Sequence, residues 1–321
     1  MLKLIAGRLA ALPVILLVVA AATFGLVAAS GFDPVDAYVG VESGISEEAK
    51  QEIARSWGFD EPIYAQFGHW LANVAQGDFG NSIAKGGQPV AGEISARAGA
   101  TALLVGGALA LTLIGGLVLG VLAAAFRGGP FDWVVRALCF FNVAAPGFWI
   151  GLLVLYLFSI KLGWLPVGGT SDVRASGDSG LDLQHLLLPM CTLALTQYAW
   201  FTLFVRNTLL EVLREDHVQF ARAQGIGEVA LMLRHALPSA LVPFVTLIGT
   251  NLAELIGGSV LIESVFAWPG LGLLTKDAAL SVDIPLLVAI TLLASVLVVL
   301  GNLLADVLYR VMDPRVREAI G

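Results

Sequence analysis

Charged side chains are rare in this sequence, and one group of them lies between two strongly apolar stretches. The segment EDHVQFARAQGIGEVALMLRHALP, residues 215–238, carries the following acids and bases within a few helical turns: Asp216, Arg222, Glu228, Arg234 and His235. The spacing of these residues forms neither a Ser/His/Asp arrangement nor a catalytic pair of carboxylates. The segment therefore indicates no catalytic chemistry. A short charged helix at this place predicts either an ordinary solvated loop or a docking surface for a partner.

A single acidic residue, Glu254 in GTNLAELIGGSVLI, falls in the middle of a later apolar run. A carboxylate exposed to hydrocarbon costs at least about 2.5–3.5 kcal/mol, so this one must face protein or water. Asn251 lies one helical turn before it. Two interpretations stay open: hydrogen bonding to a neighbouring helix, or polar contacts by Asn251 and Glu254 on a translocation pathway.

The segment ESVFAWPGLG combines rigid apolar side chains with a turn. It starts at Glu263, and its aromatic residues Phe266 and Trp268 are followed directly by Pro269 and Gly270. Proline followed by glycine favours a turn, which allows the segment to fold back on itself. The sequence therefore predicts either an outer gate over a pathway or an aromatic belt at the membrane surface.

Metal and nucleotide chemistry are not indicated. Cys139 and Cys191 both lie in apolar runs and are predicted to be small buried residues, not a disulfide pair. The four histidines are spread along the chain in or beside loops, which argues against a metal site: His69, His185, His217 and His235. The chain contains no G-x-x-x-x-G-K-[ST] loop, so we expect it to bind no nucleotide and to be unable to hydrolyse ATP alone.

The elements that must hold these residues are membrane helices. The chain is 57% hydrophobic and only 13% charged, whereas a soluble domain is about 25% charged. A helix needs about 20 apolar residues to cross the bilayer. Six spans are predicted, at residues 9–30, 98–126, 134–160, 186–205, 238–262 and 284–311. The first could be a signal peptide cleaved near Ala28 or Ser30, but its apolar run exceeds the roughly 7–15 residues of such a region, and we predict a retained span.

Basic residues set the predicted orientation, because they favour the cytoplasmic side. Eleven of the eighteen Lys and Arg residues fall in one set of short loops and tails: Lys3, Arg8, Arg127, Arg136, Arg206, Arg214, Arg222, Arg234, Arg310, Arg315 and Arg317. Both termini and segment 215–238 are therefore predicted to be cytoplasmic. The fold class is an all-α membrane protein with short interfacial helices on both sides. It divides into residues 1–97, the first span plus an extracellular segment, and a five-span core, residues 98–321.

The long outward segment after the first span predicts two short amphipathic helices. Glu47–Trp57 has Ile45 or Ser46 near its start and Gly58 at its end, and Tyr64–Val74 places its apolar side chains on one face. They suit a membrane interface or a lid over the spans, and a folded connector without function is the alternative. A second outward loop, SDVRASGDSGLD, is rich in Ser, Asp and Gly and is predicted to be mobile.

Within the charged segment, a helix of about two turns is predicted. Asp216 and Gln219 have the spacing of a capping box, so the helix would cover His217–Gln224. Gly225 falls where a helix ends in a left-handed residue. Isolated helices below about 12–15 residues are marginal in water, so this one must dock against something.

The run DHVQFARAQGI followed by HALP resembles the EAA signature of permease subunits of bacterial ATP-binding-cassette importers. Matching positions within the loop 206–237 and just after it are Asp216, Ala221, Arg222, Ala223, Gly225, Leu237 and Pro238, with Glu215 before them. The form is most similar to the dipeptide, oligopeptide and nickel branch. His217 and Gln224 depart from the Tyr and Lys usual there, and Ala144 stands where Ser is common.

Further stretches resemble the same branch in the same order along nearly the whole chain: GFDEPIYAQFGHWLANVAQGDFGNSI, PGFW, LGWLPVGG, ESVFAWPGLGLL and DVLYRVMDPRVR. The resemblance implies a subunit of the bacterial inner membrane that pairs with a second, homologous permease. It further implies two ATPase subunits that bind ATP and Mg, and an extracytoplasmic substrate-binding protein, with no nucleic acid and no cofactor on this chain. Di- or oligopeptides are the implied substrates, and nickel or another small solute is the alternative.

The same resemblance implies a mechanism. The helix Glu215–Gly225 would sit in a groove on one ATPase and convert ATPase closure into a tilt of the spans, which is rigid-body alternating access. An ion-coupled secondary transporter remains an alternative, although such proteins usually carry several ionisable residues within the membrane. An intramembrane enzyme is a further alternative and would need a catalytic constellation within the spans. An importer subunit should co-purify with an ATPase, whereas a secondary transporter should not.

Overall fold

The computed structural model describes residues 2–31, 35–36, 46–58, 60–169 and 183–312. Its helices are α1 Leu2–Ser30, α2 Glu47–Trp57, α3 Ile63–Val74, α4 Val90–Ala125, α5 Pro130–Ala144, α6 Gly147–Leu155, α7 Leu183–Val212, α8 Asp216–Ala223, α9 Glu228–Ala230, α10 Leu237–Val265, α11 Leu271–Leu280 and α12 Ile284–Met312. A π-helical stretch, Tyr156–Lys161, continues α6, and another, Leu231–Ala236, joins α9 to α10. The strands β1 Asn81–Ser82 and β2 Gln88–Pro89 form an antiparallel hairpin. The predicted mobile loop SDVRASGDSGLD and the tail after Met312 lie outside the described residues.

The helical membrane architecture predicted from composition is confirmed. Four helices in the described part of the chain are long and apolar enough to cross a bilayer: Ile5–Ser30, Val90–Ala125, Leu183–Val212 and Ile284–Leu308. Two further candidates are bent helix pairs, Pro130–Ala144 with Gly147–Lys161 and Glu228–Phe244 with Leu247–Val265. The number of spans is therefore four to six, and each of the six predicted apolar runs corresponds to one of these elements.

The third predicted span, residues 134–160, is divided into two helices. Helices α5 and α6 meet at an angle of 109°. The break has a local cause, because the residue before a proline is disfavoured in the α conformation. Ala145 accordingly adopts an extended conformation (φ −85°, ψ 136°), and Pro146 then precedes the first residue of α6. The sequence predicted a span over these residues, and the structure adds a sharp bend within it that the sequence analysis did not predict.

The chain forms two compact units, and the first comprises residues 1–101 and 269–299. Helix α2 begins at Ser46, whose side chain accepts a hydrogen bond from the backbone N–H of Ala49 (3.3 Å), and ends before Gly58 in the left-handed conformation. Both short helices predicted after the first span are thus confirmed as helices, with α3 starting one residue early. Phe24 of α1 packs against the aromatic rings of α3, its ring centroid 5.3 Å from that of Phe67 and 5.6 Å from that of Trp70.

A buried carboxylate ties the hairpin of the first unit to α12. Asp283 accepts hydrogen bonds from the hydroxyl of Ser82 (2.6 Å) and the backbone N–H of Ala84 (3.0 Å). It also accepts from the backbone N–H of Leu286 in the first turn of α12 (3.2 Å), which caps that helix. The side chains of Asp283 and Ser82 are fully buried, so this contact fixes the hairpin to the helix.

The second unit comprises residues 102–268 and 300–321, and α7 lies at its centre, packed against α5, α6 and α10. Helix α4 also approaches α7 closely, through glycines. A Cβ atom at Gly116 would lie 2.5 Å from Cβ of Phe201, and one at Gly120 would lie 2.7 Å from Cβ of Val205. Small residues permit this separation, as they do in many membrane helix pairs.

Candidate functional site

Helix α8 carries the residues that resemble the EAA signature. It starts at Asp216, and the preceding residue, Glu215, is the extended N-cap (φ −69°, ψ 151°) without a side-chain hydrogen bond. The predicted capping box is therefore wrong, since Asp216 is already helical and the side-chain amide of Gln219 donates instead to the backbone carbonyl of Leu213 (2.8 Å). A carboxylate in the first turn still interacts favourably with the helix dipole.

The C-terminus of α8 has the conformation predicted for Gly225. This glycine has φ +86°, and its N–H donates to the carbonyl of Arg222 (3.0 Å). The N–H of Ile226 donates to the carbonyl of Ala221 (3.4 Å). These two bonds form a Schellman motif, which satisfies the last helical carbonyls and turns the chain back toward α10.

One face of α8 is anchored on the rest of the second unit. Val218 is fully buried and Ala221 is 5% exposed. They belong to a cluster with Leu209 and Val212 at the end of α7. The cluster also includes Leu231 and Ala236, in the π-helical stretch before α10. This packing explains how an eight-residue helix is held in place, as such a length is marginal on its own.

The opposite face of this segment exposes apolar side chains. Phe220 is 68% exposed, Val229 69% and Leu233 48%. Ala223 on α8 is exposed as well. Large apolar side chains exposed within so short a segment favour an interaction site. We call these four residues the apolar patch.

A charged bridge braces the turn between α8 and α9. The guanidinium of Arg222 donates from Nε to Glu228 Oε1 (2.8 Å) and from Nη2 to Oε2 (3.0 Å). Its Nη1 also donates to Oε1 of Gln219 (3.1 Å). The Glu228 carboxylate raises the pKa of Arg222 above its ordinary value. Leu237 and Pro238 are the first two residues of α10 and directly follow the π-helical stretch.

A second ion pair, buried, holds α5 against α7. Arg206 donates from Nε to Oδ1 of Asp132 (2.6 Å) and from Nη2 to Oδ2 (2.7 Å). The N–H of Gly128 donates to Oδ2 as well (2.9 Å). The side chain of Arg206 is 12% exposed and that of Asp132 is 2% exposed. Sequence reasoning missed this pair because it ended the fourth span at residue 205 and counted Arg206 as a loop residue. Both residues flank apolar runs on the same predicted membrane side, a signal that could have paired them.

The other end of α5 is also fastened to α7. The side-chain amide of Asn142 donates to the backbone carbonyl of Leu195 (2.7 Å). Asp132 and Asn142 lie in the first and last turns of α5. Because both ends are bonded to α7, and α7 ends in the cluster that anchors α8, the three helices are mechanically connected.

A cavity of about 220 Å³ lies among α5, α6, α7 and α10. Its polar lining comes from three separate regions of the chain: Asn142, Thr196, Gln197 and Glu254. The remaining wall is apolar or aromatic and includes Phe148, Trp200 and Leu261. Sequence reasoning found only Glu254 among these residues, because an amide or hydroxyl in an apolar run carries no sign of which helix it faces.

The two residues predicted to lie on a pathway have different surroundings. Glu254 is exposed and lines the cavity. Asn251 is 7% exposed and is not among the cavity residues, and its amide donates to the backbone carbonyl of Leu247 (3.0 Å). The structure thus brings Glu254 together with Asn142 and Gln197, and leaves Asn251 buried.

The segment predicted to be an outer gate is closely packed. Glu263 and Trp268 are fully buried and Phe266 is 1% exposed. The N–H of Trp268 donates to the carbonyl of Glu263 (2.9 Å), and the N–H of Gly169 donates to the carbonyl of Phe266 (3.0 Å). Pro269 and Gly270 belong to the first unit, where Gly270 is the N-cap of α11.

Metal ligands are not clustered in the described part of the chain, where no group of three His, Cys, Asp or Glu residues is close enough to hold an ion. Cys139 is buried and Cys191 is partly buried, and both are free thiols.

Two family models cover almost the whole sequence. Residues 116–318 match the binding-protein-dependent transport system inner membrane component. Residues 1–103 match the N-terminal model of the membrane component of such systems.

Relatives of known type match over nearly their full length. The chain is 37% identical to the oligopeptide transport system permease protein AppB of Bacillus subtilis, over 94% of this chain and 95% of the relative. It is 38% identical to a putative peptide transport system permease protein of Brucella abortus, over 99% of each chain. It is 35% identical to the glutathione transport system permease protein GsiC of Escherichia coli, again over 99% of each.

One solved structure shares the fold. A chain of the methionine ABC transporter MetNI in inward-facing conformations matches with a TM-score of 0.56 and 19% identity. The match covers 68% of this chain and 96% of that chain.

Proposed function

Because the chain belongs to the family of inner membrane components of binding-protein-dependent transport systems, we propose that it forms the pathway for di- or oligopeptides in an ATP-driven importer. It is a multi-pass permease of the bacterial inner membrane and of the dipeptide and oligopeptide branch. The names of its relatives support peptides as the substrate class. Glutathione, itself a tripeptide, is the second candidate because a glutathione permease matches over the same length.

The proposed assembly contains a second homologous permease, two ATPase subunits that bind ATP and Mg, and a substrate-binding protein outside the membrane. This chain contributes no nucleotide site and transports without catalysing a reaction itself. Segment 215–238 and both termini face the cytoplasm, because most basic residues lie on that side. The five-span core, residues 98–321, contains the coupling loop 206–237, and residues 1–97 supply the first span and the outward helices.

The observation that carries the proposal is the two-sided character of α8. Its buried face, at Val218 and Ala221, packs against the end of α7, and its other face exposes Phe220. A helix of this kind can receive force on one side and pass it on through the other. We assign the coupling role to the residues that form and flank it: Glu215, Asp216, Ala221, Arg222, Ala223, Gly225, Leu237 and Pro238.

The force has a defined route from α8 to the cavity. When an ATPase closes on α8, the anchoring cluster moves the end of α7. The ion pair of Asp132 with Arg206 and the bond of Asn142 to Leu195 make α5 follow α7. Since Asn142 lines the cavity, its wall moves with the helix, which is the rigid-body element of alternating access. Glu254 faces the pathway, and Asn251 stabilises α10 behind it.

The buried segment Glu263–Trp268, continued by Pro269 and Gly270, acts in this proposal as the outer gate in its closed position. The backbone at Gly168 lies so close to Phe266 that a Cβ there would overlap its carbonyl oxygen. This close approach supports a closed position of the gate. Complete burial of Trp268 also differs from a belt tryptophan, whose ring lies among lipid headgroups.

The test uses two exposed aromatic residues in different regions. Phe220→Gln removes the centre of the apolar patch, while Tyr64→Gln, at a residue that is 76% exposed on α3, serves as the matched control. We expect the tagged wild-type chain and Tyr64→Gln to co-purify with the ATPases, and Phe220→Gln to lose them while still inserting in the membrane. Peptide uptake by the reconstituted complex should require ATP and the binding protein. Uptake by this chain alone, driven by an ion gradient, would instead support a secondary transporter.

A further inference from the structure

Two polar groups of the cavity lack a partner within the described part of the chain. Within the described chain, the carboxylate of Glu254 makes no hydrogen bond or ion pair. The side-chain oxygen of Asn142 is buried and also lacks a partner, because only the amide nitrogen bonds to Leu195. Buried polar atoms are almost always hydrogen-bonded, so an unpaired oxygen at a cavity indicates that water or a ligand completes it.

The available groups are predominantly hydrogen-bond acceptors. The hydroxyl of Thr196 already donates to the carbonyl of Leu193 (2.7 Å), so its oxygen is left to accept. Gln197 adds an amide with one acceptor oxygen and two N–H donors, and acceptor oxygens still outnumber donors in the lining. Together with Glu254 and Asn142, these residues place acceptors from α5, α7 and α10 around one volume.

The charge of the cavity is negative and uncompensated. No Lys, Arg or His is among its lining residues in the part of the chain that the structure describes, so Glu254 supplies the single formal charge. In a membrane interior, a lone carboxylate facing a water-filled space attracts a cation more strongly than in bulk water. The aromatic ring of Trp200, which is 61% exposed and lines the same space, adds a face suited to a cation.

The lining discriminates among cations. Transition metals such as nickel prefer imidazole or thiolate ligands, and the described lining contains neither. Several neutral acceptors around one carboxylate instead match an ammonium group, which has three N–H donors and no acceptor. A volume of about 220 Å³ holds an ammonium with a short chain attached to it.

We propose that Glu254, Asn142, Thr196 and Gln197 form a transit subsite for an ammonium group, such as the free amino end of a short peptide. The inference rests on the proposed function, since it assigns the chemistry of the pathway. It differs from that function in making a specific electrostatic claim: the cavity concentrates cations and repels anions because of one residue, Glu254.

The test measures the potential in the cavity directly. Cys139→Ala and Cys191→Ala remove the native thiols, and Val143→Cys places a reporter on a cavity residue that is 49% exposed. The purified complex reacts with methanethiosulfonates carrying an aminoethyl, a trimethylammonioethyl or a sulfonatoethyl group. Rates are divided by those for a free small thiol. A unit charge at this range predicts that the cationic reagents react roughly tenfold faster than the anionic one.

Glu254→Gln should abolish this preference, and Glu254→Asp should retain most of it. The control Glu211→Gln removes the same charge from an exposed site on α7 and should leave the ratio unchanged. A preference for the aminoethyl over the trimethylammonioethyl reagent, lost in Asn142→Ala, would support hydrogen bonding as well as charge.

The outcomes separate this inference from the proposed function. All three reagents could label the reporter at equal relative rates, and Glu254→Gln could leave those rates unchanged. That result would overturn the ammonium subsite but leave a water-filled pathway in place. A reporter that none of the reagents modifies would overturn the subsite and also the placement of the pathway in this cavity. The wild-type chain could show the cation preference while Glu254→Gln still takes up peptide normally. That result would limit Glu254 to attracting cations and would refute its role as a transit subsite.

Discussion

Two helices of the second unit end in a left-handed residue whose following N–H donates five positions back, but their surroundings are opposite. At the end of α8, the left-handed position is Gly225, and the segment around it exposes the apolar patch. At the end of α10, the left-handed position is Ala267 (φ +48°), where the N–H of Trp268 donates back to the carbonyl of Glu263. The aromatic residues Phe266 and Trp268 that flank Ala267 are buried.

The difference matches the two roles proposed above: a docking surface around α8, and an outer gate at residues 263–268, which we call the plug. At α8 the left-handed position is a glycine, so the backbone is relaxed, and the apolar patch is exposed. At α10 the apolar residues are already covered, and the backbone adopts a conformation that costs an alanine about 1 kcal/mol or more. Strain of this kind persists only where the surrounding packing enforces it, and it is often found at parts that move. The following predictions test the comparison, beginning with the largest effect.

The largest effect is expected at Trp268. Replacing this fully buried side chain by alanine removes a large packed volume, and such changes cost about 3–5 kcal/mol. We expect Trp268→Ala to lower the thermal midpoint of the permease chain, purified without the ATPases, strongly. Phe220→Ala, at a residue that is exposed in this chain, should leave that midpoint unchanged. Trp268→Phe keeps most of the packing and should raise ATP hydrolysis in the absence of the binding protein. Equal thermal shifts for Trp268→Ala and Phe220→Ala would remove the distinction between plug and surface.

The ion pair behind α8 should show the next largest effect. Asp132→Asn keeps the shape but leaves the Arg206 charge, only 12% exposed, without its counter-charge. A hydrogen bond to a charged group contributes about 1.5–3 kcal/mol, so the variant should be less stable by that order. Transport should fall while ATPase binding persists, because α8 itself is intact. The double variant Asp132→Arg with Arg206→Asp exchanges the two charges. If it recovers wild-type stability and transport, the charge pair alone matters and its orientation does not.

Gly225→Val tests the left-handed glycine at the end of α8. A side chain in the left-handed conformation costs about 1–2 kcal/mol, and β-branched residues are the least tolerant of it. Space is not limiting within the described chain, since no atom lies within 4 Å of a Cβ built at this position. The variant should therefore insert normally and bind the ATPases poorly, or bind them without transport. Wild-type values for ATPase co-purification and peptide uptake would show that α8 does not couple ATP hydrolysis to transport.

These regions also show what the sequence could predict. The caps of α2 at Ser46 and Gly58 and the left-handed Gly225 were predictable, because capping depends on residues a few positions apart. The break between α5 and α6 was missed although Pro146 gave its signal, since the apolar run continued on both sides. The pair of Asp132 with Arg206 joins residues 74 positions apart, and the cavity gathers side chains from three regions. Contacts of that range depend on helix packing, which one sequence does not specify.

The smallest effect, and the one that addresses the comparison most directly, is expected for Ala267→Gly. It gives α10 the kind of ending that α8 has, and the side chain of Ala267 is exposed, so little packing is lost. Removing the Cβ relieves roughly 1–2 kcal/mol of left-handed strain, while the added freedom of glycine in the unfolded chain costs about 0.4–1 kcal/mol. The net gain should be about 0.5–1 kcal/mol, measured as a small rise in the thermal midpoint.

If the strain at Ala267 helps the plug to open, the more stable variant should also transport more slowly at unchanged ATPase binding. The control is Ala279→Gly, which introduces glycine at another exposed alanine, inside α11, and should destabilise slightly. A rise in stability without any change in uptake would mean that the strained turn is only a structural ending of α10. A fall in stability would show that Ala267 is not strained, and the contrast between the two helix ends would then lie in their surroundings alone.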